Sequence, residues 1–190
     1  PLTDRDPDNR LLARYERRRL TAEELRDTLL LVGGNLDLSP AAAHPFPPEE
    51  TWKFTQHEPF SAVYETNKRS AYLMVQRQRS HPYLVLFDAA DPNSSTAVRQ
   101  STTVPTQSLF FLNDPLFHEQ AASFAQRVLQ RPNDNDRLDF AFQTLYQRKP
   151  TERERNFAAR FRHRYPGDLN EKWAGYARVL MSSNEFVYLD

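Results

Sequence analysis

The sequence predicts a mainly α fold, a helical bundle with a long irregular arm rich in proline and aromatics and with one or two short strands. Three observations predict it. Apolar residues recur at helical spacing through most of the chain. Helix start and stop signals punctuate those stretches. Five prolines between positions 36 and 69 (Pro40, Pro45, Pro47, Pro48, Pro59) break any regular element there. The chain has 190 residues, 25 Lys+Arg against 25 Asp+Glu, and 39% apolar residues. That length fits a single domain, 1–190, able to bury one sizeable core. Thirteen Phe, eight Tyr and two Trp supply the volume to fill it. The balanced charge removes a global electrostatic case for nucleic acid or anionic lipid. No apolar run reaches the roughly 18–20 residues of a membrane span, so no direct membrane insertion is expected.

The elements follow in order. Residues 1–35 read as a helical pair. Asp6-Pro7 forms a cap-then-proline start, and a first helix is expected to run to about residue 19 with Leu11, Leu12 and Tyr15 on one side. Thr21 and Glu24 form a capping box. The second helix buries Leu25, Leu29 and Val32, and Gly33-Gly34 ends it in a left-handed cap. Residues 36–69 form the arm, and Phe46, Trp52, Phe54, Phe60 and Tyr64 are expected to plug it into the body. Residues 70–77 are the best strand candidate, to be partnered by the arm or by the C-terminal Phe186-Val-Tyr-Leu-Asp190. A short helix from His81-Pro82 to Phe87, a turn-rich loop from Asp88 to Ser95 and a helix opened by Pro105 complete the 70–113 stretch.

Residues 114–190 read as a helical bundle with a C-terminal tail. Asp114-Pro115 starts a helix whose stripe is Phe117, Ala121, Phe124, Ala125 and Val128. Leu138, Ala141, Phe142, Leu145 and Tyr146 mark the next, which Pro150 closes. Thr151 and Glu154 cap a third, with Phe157, Phe161 and Tyr165 at fourfold spacing. Asn170 is expected to cap the last, whose stripe is Trp173, Tyr176, Ala177, Leu180 and Met181. Short connections favour antiparallel neighbours.

Several ordered motifs carry a resemblance. They are Arg19-Leu-Thr-Ala-Glu-Glu-Leu-Arg-Asp27 with Gly33-Gly34, Arg69-Ser-Ala-Tyr-Leu with Arg77, and Phe87-Asp-Ala-Ala-Asp-Pro92. Arg99 with Thr102-Thr-Val-Pro-Thr-Gln-Ser-Leu109, Leu112-Asn-Asp-Pro115 and Asn184-Glu-Phe-Val-Tyr-Leu-Asp190 complete the set. Together they resemble the C-terminal domain of unknown function of planctomycete-type cytochrome-C-domain surface proteins, over nearly the whole chain. Ala90 and the arm His44-Pro-Phe-Pro-Pro48 depart from that pattern in detail. The resemblance implies a large exported parent, periplasmic or on the cell surface, with a haem c module upstream. The start at Pro-Leu-Thr-Asp, without Met, agrees with a piece of something longer. Its expected partners are the upstream domains of that parent, or an envelope protein. No cofactor is expected in this chain, which lacks cysteine altogether and so any Cys-x-x-Cys-His attachment.

Six constellations could carry chemistry. Asp88 and Asp91, near Asn93, could bind a cation or act as paired carboxylates, but they fit Asx turns with arginine partners better. Arg10, Arg19, Arg26, Arg69, Arg77 and Arg99 could clamp an anion, yet Glu24, Asp27, Asp88 and Asp91 are available to pair with them. The five histidines (His44, His57, His81, His118, His163) show no metal-ligand spacing. The 148–164 segment sets Arg148, Lys149, Arg153, Arg155, Arg160, Arg162 and Arg164 against Glu152 and Glu154, a polyanion-binding or partner-docking face or else a solvated one. Thr102, Thr103, Gln107, Asn113 and Asp114 lack a base for nucleophilic catalysis and read as caps. The aromatic arm could stack sugars, but plugging the core is the simpler role. The expectation is therefore a non-catalytic structural or interaction domain. The alternative is a carbohydrate-directed domain that binds or cleaves an acidic polysaccharide at a site built from Arg69, Arg77, Asp88, Asp91 and Arg99.

Overall fold

The computed structural model describes residues 6–12, 15–41, 50 and 63–189. Among them are eight helices and two short strands, the mainly α fold expected. In order they are β1 (Arg18–Arg19), α1 (Ala22–Gly33), a 3-10 turn (Ser70–Tyr72), α2 (Pro82–Leu86), α3 (Pro105–Asn113) and α4 (Pro115–Leu129). Then come α5 (Asp134–Tyr146), α6 (Glu152–Arg164), α7 (Leu169–Met181), α8 (Asn184–Val187) and β2 (Tyr188–Leu189).

Helix α4 is the hub. Its stripe of Phe117, Ala121, Phe124, Ala125 and Val128 is fully buried, and it packs most extensively on α7 and next on α1. From α7 come Trp173, Tyr176, Ala177, Leu180 and Met181; from α1 come Leu25, Leu29 and Val32. Apart from Leu30, the buried hydrophobic residues form one continuous cluster. Helices α1 and α4 approach closely at Gly33, where a Cβ would stand 2.5 Å from Gln120 Oε1 and would push that side chain away from Asn35. Gly34 then adopts φ 84° and caps α1 in the left-handed region, where only glycine is free of Cβ strain.

Local signals account for most of the ends. The boxes Thr21/Glu24 and Thr151/Glu154 form as expected, and Asp114 caps α4 through the Leu116 N–H. The cap of α7 is Asp168 rather than Asn170. Asp168 Oδ1 accepts from the Glu171 N–H at 2.9 Å while Glu171 Oε2 accepts from the Asp168 N–H at 2.7 Å. Helix α5 ends at Tyr146, before Pro150, with Gln147 at φ 57°.

Two expected elements differ. Among the described residues the first helix does not form. The Asp6 carboxylate accepts from the N–H groups of Arg10 and Leu11, closing a turn, and Asn9 and Leu12 both have positive φ. Its supposed apolar face stays in water, with Leu11 80%, Leu12 82% and Tyr15 58% exposed. A short helix without a face to bury is marginal. Instead Arg18 and Arg19 extend and pair antiparallel with Leu189 and Tyr188. The 70–77 strand is absent too. The Ser70 N–H donates to Asp27 Oδ1 at 2.7 Å, which seats a 3-10 turn on α1 in place of a ladder. The C-terminal tail thus finds its strand partner at residues 18–19. Of the arm aromatics, Tyr64 is half-buried, whereas Phe46, Trp52, Phe54 and Phe60 lie outside the described residues.

Candidate functional site

The polar groups singled out in the sequence fall into three places. The first is a knot around Arg19. Strand β1 turns the Arg19 side chain inward, where its Nη2 donates to Asp88 Oδ2 at 2.6 Å. Asp88 follows α2 with φ 62°, a conformation Asp tolerates better than most residues. That backbone aims the carboxylate at both Arg19 and Thr102. The Thr102 N–H and hydroxyl each donate to it at 2.8 Å. Arg19 Nη1 donates to the Thr102 carbonyl and, at 2.9 Å, to Gln107 Oε1. Gln107 in turn donates to the Leu86 carbonyl at 2.9 Å. The side chains of Arg19 and Asp88 are 7% and 15% exposed. Burial alone would raise the Asp88 pKa, but the Thr102 N–H, the guanidinium and the Thr102 hydroxyl together hold it below the usual carboxylate range. Thr102 and Gln107 are therefore knot members, not caps. Residue Val104 precedes α3 without a side-chain cap.

The second place is the seat of the 66–70 strap on α1. The buried Arg26 donates to the carbonyls of Lys68 (2.9 Å) and Thr66 and to Ser70 Oγ (3.3 Å). Burial lowers its pKa. Lys68 Nζ reaches back to Asp37 Oδ2 at 2.8 Å, next to the Asp37–Lys68 bridge. A cleft of about 340 Å³ opens beside this strap, with Arg26, Glu65, His81, Tyr83, Asp114 and Glu119 among its walls. Burial, then the Arg26 charge, pushes the His81 pKa down, and burial pushes the Tyr83 hydroxyl up while it donates to the Ala22 carbonyl at 2.8 Å. Among the described residues no group of three or more His, Asp or Glu side chains is placed to hold a metal ion.

The five predicted site residues are not brought to one point. Asp88 is in the knot. Arg99 donates to Glu23 at 2.7 Å and Arg69 stands 3.7 Å from Asp27, both partly exposed. Asp91 accepts from the Asn93 N–H at 2.9 Å in an Asx turn, and Asn93 Nδ2 donates to the Arg77 carbonyl at 3.0 Å. The Arg77 side chain is exposed and has no ion pair among the described residues. Sequence reasoning missed Thr102 and Gln107 as partners of Asp88 and Arg19. No local signal marks them, since Arg19 and Asp88 are 69 positions apart.

The third place is α6. Arg148 forks between Glu154 (2.7 Å) and Glu185 (2.6 Å), Arg155 meets Asp139 at 2.6 Å, and Arg162 meets Asp134 at 3.2 Å and lies over the Trp173 ring. Arg153, Arg160 and Arg164 are exposed and have no carboxylate partner among the described residues.

A family model described as PSD1, protein of unknown function (DUF1553), matches residues 1–162. The chain belongs to this family. No curated protein and no solved structure matches it. In this DUF1553 chain the matched stretch ends inside α6, so α7, which fills much of the core against α4, lies beyond it.

Proposed function

We propose that this chain is a non-catalytic structural or interaction domain of a larger exported protein that also carries a cytochrome-c-type haem module. The observation that carries the non-catalytic part is the Arg19–Asp88–Thr102–Gln107 knot. The Asp88 carboxylate, both Arg19 Nη groups and the Gln107 amide are paired with one another, with Thr102 or with backbone, Arg19 Nε alone being without a hydrogen-bond partner, and the knot joins β1, α2 and α3. The exported, haem-bearing parent rests on the resemblance of the sequence motifs. An antibody to this chain tests it. It should recognise a haem-staining band in the envelope or extracellular fraction of the source cells; a cytosolic, haem-free band would remove that part of the reading.

One observation favours a second reading. Arg77 is exposed beside the Asp91 turn, with no ion pair among the described residues, and Arg69 and Arg99 keep part of their surface in water. These groups suit an acidic polysaccharide. Sulfated and uronic oligosaccharides at millimolar concentration should leave the melting temperature unchanged if the domain is not carbohydrate-directed. A rise that disappears in Arg77→Ala would favour the polysaccharide, because a ligand of the native state must stabilise it.

A further inference from the structure

Helix α6 is the least buried of the long helices, with Ala158 alone fully buried. Its aromatic row leans on α7 only in part. Phe161 stacks on Tyr165 at 5.1 Å and meets Tyr176 at 5.4 Å, while Phe157 stays 47% exposed. Phe157, Phe161, Tyr165 and Pro166 line a groove of about 470 Å³ whose polar rim is Arg160 and Arg164. Through Phe161 and Tyr165 it continues into a second groove of about 470 Å³, which reaches Leu112, Val179 and Arg178. Arg178 donates to the Tyr165 hydroxyl at 2.7 Å and, like Arg160 and Arg164, has no carboxylate partner among the described residues.

An aromatic trough edged by three guanidinium groups without counter-charges has a definite complement. We infer that this groove docks a peptide segment of a partner protein that presents aliphatic or aromatic side chains between carboxylates. The inference rests on the interaction-domain reading and names the chemistry of the partner. Apolar side chains would fill the trough, and carboxylates would meet Arg160, Arg164 and Arg178 in forked pairs. A saccharide is disfavoured because the trough walls carry no carboxylate or amide to receive its hydroxyls. A two-fold pairing of identical copies through this face is disfavoured because it would set Arg160 and Arg164 against their own equivalents.

The test selects displayed random 16-residue peptides against the whole chain and measures the winners by fluorescence anisotropy. Selected peptides are expected to be acidic with interleaved apolar residues. Arg160→Glu/Arg164→Glu and Phe157→Glu, all at exposed positions, should each weaken binding by about tenfold or more, and added salt should weaken it further. Arg153→Glu, an exposed cation outside the groove walls, should stay within about twofold. Melting curves identify any variant that fails to fold, and for such a variant Arg160→Ala/Arg164→Ala replaces the charge reversal. Peptides without acidic excess, peptides that bind the groove variants undiminished, or no selected peptide at all would each overturn the inference. So would an oligogalacturonate that binds in an Arg160- and Arg164-dependent way while no peptide does. Undiminished binding elsewhere would leave the interaction reading standing. Failure of that reading shows separately, as the Arg77-dependent oligosaccharide shift.

Discussion

The two halves of the molecule are held by different forces. From α4 to α7 the chain packs as amphipathic helices, with fully buried rings at Phe117, Phe124, Phe142 and Trp173 and capping boxes at its turns. Before α4, the described residues outside the helices include long irregular stretches, such as 88–104, and polar knots, alongside the α1 stripe, tie these to α1, α2 and α3. Arg19 spans to Asp88 and Thr102, and Arg26 spans to the backbone of the 66–70 strap. Apolar packing tolerates modest changes in shape. A buried ion pair does not tolerate the loss of one member, because the other remains as an uncompensated charge. The first half should therefore fail through single polar substitutions and the second through loss of volume.

The largest effect tests the bundle. Deleting residues 163–190 removes Trp173, Tyr176 and Met181 from the face of α4, so the remainder should show no cooperative urea transition. Phe124→Ala, at a fully buried ring, should cost about 3–5 kcal/mol in urea unfolding. Arg19→Met should cost about 3 kcal/mol, at the low end for orphaning a buried charge because Asp88 keeps some solvent. Adding Asp88→Asn to it should recover part of that loss. A neutral Arg19→Met would erase the contrast between the halves. Thr151→Ala removes one cap and should cost about 1 kcal/mol.

The smallest effect is a slope with pH. The Arg18 guanidinium holds the Glu24 pKa down to about 2, and Arg148 does the same for Glu154, against an ordinary 4.5. A depressed carboxylate contributes stability that is complete above its unfolded pKa and is lost as pH falls through its folded one. Stability should hold above about pH 4.5 and decline from there toward pH 2. These side chains are 41% and 31% exposed, so solvent screens the contribution. Arg148→Met should flatten the slope in urea titrations between those limits.

Legibility follows the same division. The stripe Phe117-Ala121-Phe124-Ala125-Val128 and the boxes at Thr21 and Thr151 are local patterns with local consequences, and the helices they foretell are present. Leu11, Leu12 and Tyr15 make an equally good stripe on paper, but a stripe becomes a helix only where another surface covers it, and none does here. Asp91 behaves as its spacing suggests, in an Asx turn. Asp88, three positions earlier, is a knot because β1 and the Thr102 loop converge on it. That convergence is tertiary and leaves no periodic trace. On α6 the cation excess is plain in the sequence. Which of those cations stand without a carboxylate is decided by Asp134, Asp139 and Glu185, on other helices.

The ribbon of β1 and β2 carries a consequence for how the chain comes into being. Arg18 and Arg19 meet Leu189 and Tyr188, and the Leu20 N–H donates to the Val187 carbonyl at 2.8 Å. During synthesis on a ribosome residues 18–20 must wait for residues 187–189 to emerge before their hydrogen bonds can close. A seam between such distant positions is slow to form. It closes only after the helices between its two strands have been made.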